Sequence, residues 1–287
     1  MSLRIAILTP DPDGELGGAR WPGILSRLAA PLEAAGHGVE SPAWTRAGDL
    51  TRFDLVLPLL AWGYHREGDW QGSIAGWHAA GVRLMNPAKV LAWNADKSYL
   101  ARLAEAGAPI VPTHFVDRPD EAAMHEAAAR FGTDRLIVKP RISAGAFQTI
   151  RWSPGAPLDG GPDRAAMIQP YLPDIERGGE PSLIYLGGAF SHAVSKRPRP
   201  GDFRVQPEYD GAIAPYAPLP DELEAAAAAL AAADAELLYA RVDLVRDLSG
   251  RPVLMELELV EPDLYLEYAP GSPERFAHAV GRAAAAR

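Results

Sequence analysis

The sequence predicts an α+β protein in three pieces, and three observations carry this. Residues 1–90 read strand–helix–strand, the pattern of a small parallel unit. Residues 182–195 hold two apolar runs split by Gly187-Gly188, a strong hairpin signal. Residues 240–260 hold two more runs, split by the turn Asp247-Leu-Ser-Gly-Arg251, and so pair as a second hairpin.

The elements follow in order. Residues 4–9 form an apolar strand that runs into a turn at Pro10-Asp-Pro-Asp-Gly14. A glycine-rich loop over residues 14–21 comes next. Pro22 suits the first turn of a helix whose apolar face is Ile24, Leu25, Leu28, Leu32 and Ala35, stopped by Gly36. Residues 53–60 give a second strand. Ligands of parallel sheets lie at strand C-termini, so residues 14–21 and 62–66 are candidate ligand loops, with plain packing of Trp62, Tyr64 and His65 as the alternative. Residues 88–93 and 97–106 read as helices, the second capped by Asn94 or Asp96 and stopped by Gly107. An extended stretch over 110–116 and a helix over 120–131 follow. Residues 135–139 form a strand ending in Lys139-Pro140, then a small-residue loop leads to a strand at 149–152. Residues 166–172 are a strand whose Pro170 suits a sheet edge or hinge. Asp221 with Glu224 makes a capping box for an alanine-rich helix reaching about Leu238. A last helix starts at Pro273. These readings divide the chain at 1–88, 89–168 and 169–287.

Composition excludes several classes. The 287 residues contain no cysteine, which removes disulfides, thiolate metal sites and a cysteine nucleophile. The seven histidines form no H-E-x-x-H motif. A net charge of −9 argues against general nucleic-acid binding. No targeting segment or run of 18 apolar residues is evident, so a cytoplasmic protein without membrane association is expected. Oligomeric state stays open, with a homo-oligomer possible.

Only four of the 28 basic residues are lysine: Lys89, Lys97, Lys139 and Lys196. A chain that uses arginine for solvated charge keeps lysine where a compact ammonium is useful, or by chance. Lys139 stands at a strand end before Ser143 and a loop of alanine and glycine, where backbone can approach phosphate. No Walker or Rossmann motif accompanies it. Lys196, Arg197, Arg199 and Arg204 concentrate positive charge, either for an anion or as a solvated loop. Glu256 and Glu258 project to one strand face, and Asp243 lies across the turn at a spacing that permits facing positions. Three such acids suit Mg²⁺, or else form a solvated sheet face.

The order of these features resembles the ATP-grasp superfamily over roughly residues 86–268. A lysine precedes a helix; another ends a strand before a small-residue loop; a hinge strand, a basic loop and acid-bearing strands follow. Ala193-Val-Ser-Lys-Arg-Pro-Arg-Pro-Gly-Asp-Phe-Arg204 is similar to the basic segment of ATP-grasp glutamate ligases. Val242-Asp-Leu and Leu254-Met-Glu-Leu-Glu258 are similar to that group's metal-binding strands, although Glu258 stands where Asn is usual. Glu-Leu-Glu-Leu-x-Glu-Pro also matches a smaller subgroup that resembles cyclo-ligases closing the isoxazolidinone ring of D-cycloserine from O-ureido-D-serine.

The resemblance implies an ATP-grasp fold, two α+β subdomains gripping ATP behind an N-terminal α/β subdomain, with ATP and Mg²⁺ as cofactors. It implies that Lys97, Lys139 and Ser143 meet the phosphates. Gln169, Tyr171 and Leu172 line the adenine hinge, backbone groups of Tyr171 and Leu172 reading the base. Glu180 or Glu176 takes the ribose. Lys196 and Arg204 hold the transferring phosphate and acyl intermediate, and Asp243, Glu256 and Glu258 bind Mg²⁺. The superfamily's lid loop is reduced to residues 143–148. The implied activity is an ATP-dependent, ADP-forming carboxylate ligase working through an acyl phosphate on a small amino-acid-like substrate. It is a cyclo-ligase, an intermolecular amino-acid ligase, or a nucleotide-binding module without turnover.

Overall fold

The structure is a computed structural model that describes residues 2–16, 20–205 and 209–286. Of the candidate loop at 14–21, residues 17–19 therefore lie outside the described residues. The chain runs β1 (Arg4–Ile7), α1 (Trp21–Ala34), β2 (Gly38–Glu40), β3 (Leu55–Leu57), α2 (Trp70–Ala79), α3 (Ala88–Asn94) and α4 (Tyr99–Glu105). It continues with β4 (His114–Val116), α5 (Glu121–Phe131), β5 (Leu136–Pro140), β6 (Ile150–Trp152), β7 (Ala166–Pro170) and α6 (Asp174–Arg177). The last part holds β8 (Glu180–Leu186), β9 (Ala189–Arg197), β10 (Ala212–Tyr216), α7 (Pro220–Ala233), β11 (Tyr239–Arg246), β12 (Pro252–Glu258) and α8 (Ser272–Ala285).

Three sheets result. The first is parallel, in the order β2-β1-β3. Ile5, Ala6 and Ile7 are all buried, as a parallel strand covered on both faces requires. α1 lays Ile24, Leu28 and Leu32 on it, one residue per turn. The sequence reading had neither β2 nor α2. A three-residue strand carries too little pattern, and α2 is nucleated by Asp69, whose carboxylate accepts from the Gly72 N–H. The second sheet is antiparallel, in the order β4-β7-β5-β6. Here β7 is an inner strand, not an edge; Pro170 fits because it is the strand's last residue. The third sheet is β10-β9-β8-β11-β12, all antiparallel. Its β8–β9 turn is Gly187-Gly188, both at positive φ, as the hairpin signal required.

Two other expectations differ. Helix α7 is not capped by Asp221 and Glu224. Pro220 takes the first helical position, so the capping carboxylate is Glu222, which accepts from the Leu219 N–H at 2.9 Å. The helix also stops at Ala233, because Asp234 turns left-handed. And α3 and α4, read as part of the central piece, pack on the third sheet: Val90, Tyr99, Leu100 and Leu103 share a core with Val242, Leu254, Leu257 and the small face of α7. The second sheet has its own core around Met124, Leu136, Val138 and Ile168.

β12 is an edge strand, and side chains satisfy its free edge. Asn94 donates to the Leu257 carbonyl and accepts from the Leu259 N–H, and the Leu257 N–H donates to the Tyr99 hydroxyl. Asn86 donates to the Leu259 and Tyr239 carbonyls and accepts from the Leu238 N–H. These contacts fix the strand that carries Glu256 and Glu258. Asn86→Ala is expected to cost about 3 kcal/mol in urea unfolding, since it leaves several buried backbone groups unpaired. A loss below about 1 kcal/mol would contradict that role.

Candidate active site

A cavity of about 480 Å³ lies where the three units meet. Its floor is one face of the third sheet. Glu180 stands opposite Lys196, Ser182 opposite Asp243, Asp243 opposite Glu256 and Arg241 opposite Glu258. The facing of Asp243 and Glu256 allowed by their sequence spacing is therefore the observed register. A solvated sheet face is ruled out: Asp243 and Glu180 are buried and both line the cavity.

The charges form a continuous row. Lys196 bridges Glu180 and Asp243, the latter at 3.2 Å. Arg241 grips Asp243 through two nitrogens, at 3.0 Å each, and also pairs with Glu258. Ser182 donates to Asp243 at 2.5 Å. Lys97 pairs with Glu256 at 3.0 Å and donates to the Ser143 carbonyl. Burial alone would raise the Asp243 carboxyl, but Arg241 and Lys196 outweigh it and hold it below the usual range. Burial would likewise lower the Lys196 ammonium, and Asp243 with Glu180 holds it above. Burial pushes Glu258 up to about 8 despite Arg241. Lys139 is the exception. It makes no hydrogen bond or ion pair among the described residues, and burial lowers its ammonium.

Arg241 was missed from sequence, where it is one arginine among 24. The available signal was its place two residues before Asp243, on the same strand face.

Lys97 is held in place by its neighbours. The Lys97 N–H donates to the Arg141 carbonyl at 2.9 Å, and the Arg141 guanidinium makes two bonds to Asp96. The short lid follows: Phe147 packs on His65 at 5.4 Å between ring centroids and lies under Arg66 at 5.5 Å. The loop over 62–66 thus faces the cavity rather than merely packing. Burial, then the charges of Arg66 and Lys97, lowers the His65 imidazole to about 4 from 6.5. As pH falls through that window the unfolded chain gains a proton the folded chain refuses, so stability falls. NMR titration is expected to show no His65 inflection above pH 5. A midpoint near 6.5 would contradict the buried placement.

The other residues named from sequence fall as follows. Arg204 lines the cavity, but its guanidinium bonds Asp202 at 2.8 and 3.1 Å and lies 3.8 Å over the Tyr209 ring. Gln169, Tyr171 and Leu172 do not line the cavity; Ile137, paired with Gln169, does. The Tyr171 N–H is committed to the Arg135 carbonyl at 2.8 Å and the Leu172 carbonyl accepts from the Ile175 N–H at 3.3 Å, which leaves the Tyr171 carbonyl and the Leu172 N–H as the acceptor and donor of this segment. Glu180 is 8% exposed and paired with Lys196. Glu176 is 39% exposed, bonded by the Tyr171 hydroxyl and 3.6 Å from Arg151.

Asp243, Glu256 and Glu258 supply hard oxygen donors on one face, which suits Mg²⁺. Among the described residues no three acidic or histidine groups converge as a ready-made metal cluster, because Arg241 and Lys97 stand between the acids.

A sheet pair gripping a cavity between lysine-bearing loops and acid-bearing strands defines the ATP-grasp class. No family profile matches the chain. It is 34% identical to the cycloserine biosynthesis protein DcsG of Streptomyces lavendulae over 218 residues, 69% of this chain and 73% of that one. The crystal structure of D-cycloserine synthetase DcsG superposes with a TM-score of 0.83 at 27% identity, covering 98% and 99% of the two chains. D-alanine–D-alanine ligase from Bacillus anthracis superposes at 0.71 with 17% identity, covering 99% and 98%. A RimK-domain ATP-grasp protein from Sphaerobacter thermophilus superposes at 0.64 with 18% identity, covering 96% and 99%. The chain belongs to the ATP-grasp ligases, in the family of DcsG. It is an ATP-dependent, ADP-forming ligase of C–N bonds. Among the described residues no helix is long and apolar enough to cross a membrane.

Proposed function

We propose that this ligase activates the carboxylate of a small amino-acid-like substrate as an acyl phosphate and closes it onto a nitrogen of the same molecule, as a cycloserine-forming cyclo-ligase. The kinship with DcsG favours the intramolecular form. The observation that carries the chemistry is the buried row Lys196, Asp243, Arg241 and Glu258 facing the cavity beside the unpaired Lys139.

The residues divide the work. Lys139, Lys97 and Ser143 bind the nucleotide phosphates. Leu172 and the Tyr171 carbonyl orient the base from behind Ile137, with Gln169 bracing the hinge through its bond to Thr113 at 2.9 Å. Glu176, exposed at the hinge, suits the ribose better than Glu180, whose carboxylate holds Lys196 in place. Asp243, Glu256 and Glu258 would hold Mg²⁺, which would supply charge neutralisation at the phosphate oxygens. Lys196 and Arg204 steady the transferring group, Arg204 after release from Asp202. Arg241 presents its planar fork to the substrate carboxylate and to the oxyanion that forms when the nitrogen attacks. No side-chain nucleophile is needed, because positioning and electrostatics supply the acceleration.

The test is incubation with ATP, Mg²⁺ and O-ureido-D-serine, read by mass spectrometry. A ring-closed product without any second amino acid is expected. A product that appears only when a second amino acid is added would overturn the intramolecular reading.

A further inference from the structure

We infer that Glu261 is the receptor for the substrate's α-ammonium group, so that the cavity selects an amino acid over a plain carboxylic acid. This rests on the ligase reading above and deepens it.

Besides Glu180, five acids line the cavity: Asp243, Glu256, Glu258, Glu261 and Asp263. Four have a cation of the chain as partner. Asp243 and Glu258 share Arg241, Glu256 has Lys97, and Asp263 lies 3.3 Å from Arg20. Glu261 alone has neither a hydrogen bond nor an ion pair among the described residues. A carboxylate facing a cavity in a low-dielectric setting is costly without a counter-charge. Its mirror image is Lys139, a half-buried cation of the cavity without a hydrogen bond or ion pair among the described residues, which the ligase reading gives to phosphate. Burial, and then the Glu258 charge, holds the Glu261 carboxyl well above its ordinary value, so it becomes an anion when a ligand cation arrives beside it.

Position supports the same assignment. Glu261 follows the end of β12, three residues beyond Glu258, between the metal-side acids and the Asp263–Arg20 pair. Tyr64 of the N-terminal unit lies near it: after burial itself, the Glu261 charge is the largest influence holding the Tyr64 phenol well above its ordinary value. Trp62, Tyr64 and Tyr265 line this end, and aromatic faces suit an ammonium ion. Arg241, in the same cavity, takes the substrate's carboxylate. A cation fork and a free anion together match a zwitterion.

The test compares two ligands by calorimetry on the full chain with Mg²⁺ and ADP. They are O-ureido-D-serine and 3-(ureidooxy)propionate, the same molecule without its amino group. The native protein is expected to prefer the amine by about 10–100-fold in Kd, the value of one charge-assisted bond. Glu261→Gln is expected to bring that ratio close to one, with Mg²⁺ dependence unchanged. Glu261→Asp keeps the charge and is expected to keep most of the preference. A preference that survives in Glu261→Gln overturns the assignment, as does a native protein that does not discriminate. A shifted Mg²⁺ midpoint with the preference intact would instead make Glu261 a metal-side group. ADP release in parallel samples that hold ATP in place of ADP separates the two readings: absent turnover with an intact amine preference overturns the ligase proposal and leaves the Glu261 assignment standing.

Discussion

Arg241→Lys is expected to lower turnover by about 10²–10³-fold while ATP affinity stays within a few-fold of the native protein. The substitution keeps a positive charge on β11, so Asp243 retains a counter-ion and Lys196 remains beside it. What disappears is the planar fork. In the native protein that fork spans Asp243 and Glu258 at once and is fixed over the Tyr265 ring at 5.4 Å. An ammonium is a point charge and cannot make parallel bonds to a carboxylate that is becoming tetrahedral. Steady-state kinetics and ATP titration on the same preparation check this. Turnover within threefold of native would remove Arg241 from the reaction.

Arg241 also shows where sequence reading stops. The acids were legible because their signal is arithmetic: two residues apart on a strand, and thirteen across a turn that Asp247 and Gly250 build. The structure pairs Asp243 with Glu256 directly. The three-piece plan was legible for a similar reason, since Gly187-Gly188 and the 247–251 turn each specify a hairpin locally. Arg241 carries no such signal, because one arginine looks like another until its burial is known. Partnership between elements was equally hidden. The apolar faces of α3 and α4 announce helices, but nothing local says that they pin the edge of β12 rather than pack on the nearest sheet in sequence. Pro220 moved the cap of α7 by outcompeting Asp221 for the helix start. Arg204 stood out in sequence through its neighbours, yet in the structure Asp202 holds its guanidinium.

Lys139→Ala is expected to weaken ATP binding by about 10–150-fold, the equivalent of about 1.5–3 kcal/mol for a charge-assisted contact. Thermal stability should hold or rise slightly. Among the described residues the Lys139 ammonium has no hydrogen-bond or ion-pair partner, so its removal breaks none of their ion pairs and relieves a poorly solvated charge. Affinity and stability therefore move in opposite senses, which a structural lysine would not do. Calorimetry with ATP and a thermal melt check both. A lower melting temperature with unchanged ATP affinity would place the nucleotide elsewhere.

Carboxylate activation is the account's central claim, and oxygen transfer tests it most directly. O-ureido-D-serine carrying ¹⁸O in both carboxylate positions is turned over with ATP and Mg²⁺, and the released inorganic phosphate is analysed by mass. An acyl phosphate requires that one carboxylate oxygen leave with the phosphoryl group when nitrogen attacks the acyl carbon. The account predicts one ¹⁸O per phosphate released. Phosphate free of ¹⁸O, with ring-closed product formed, would show that ATP is spent on another group and would contradict it.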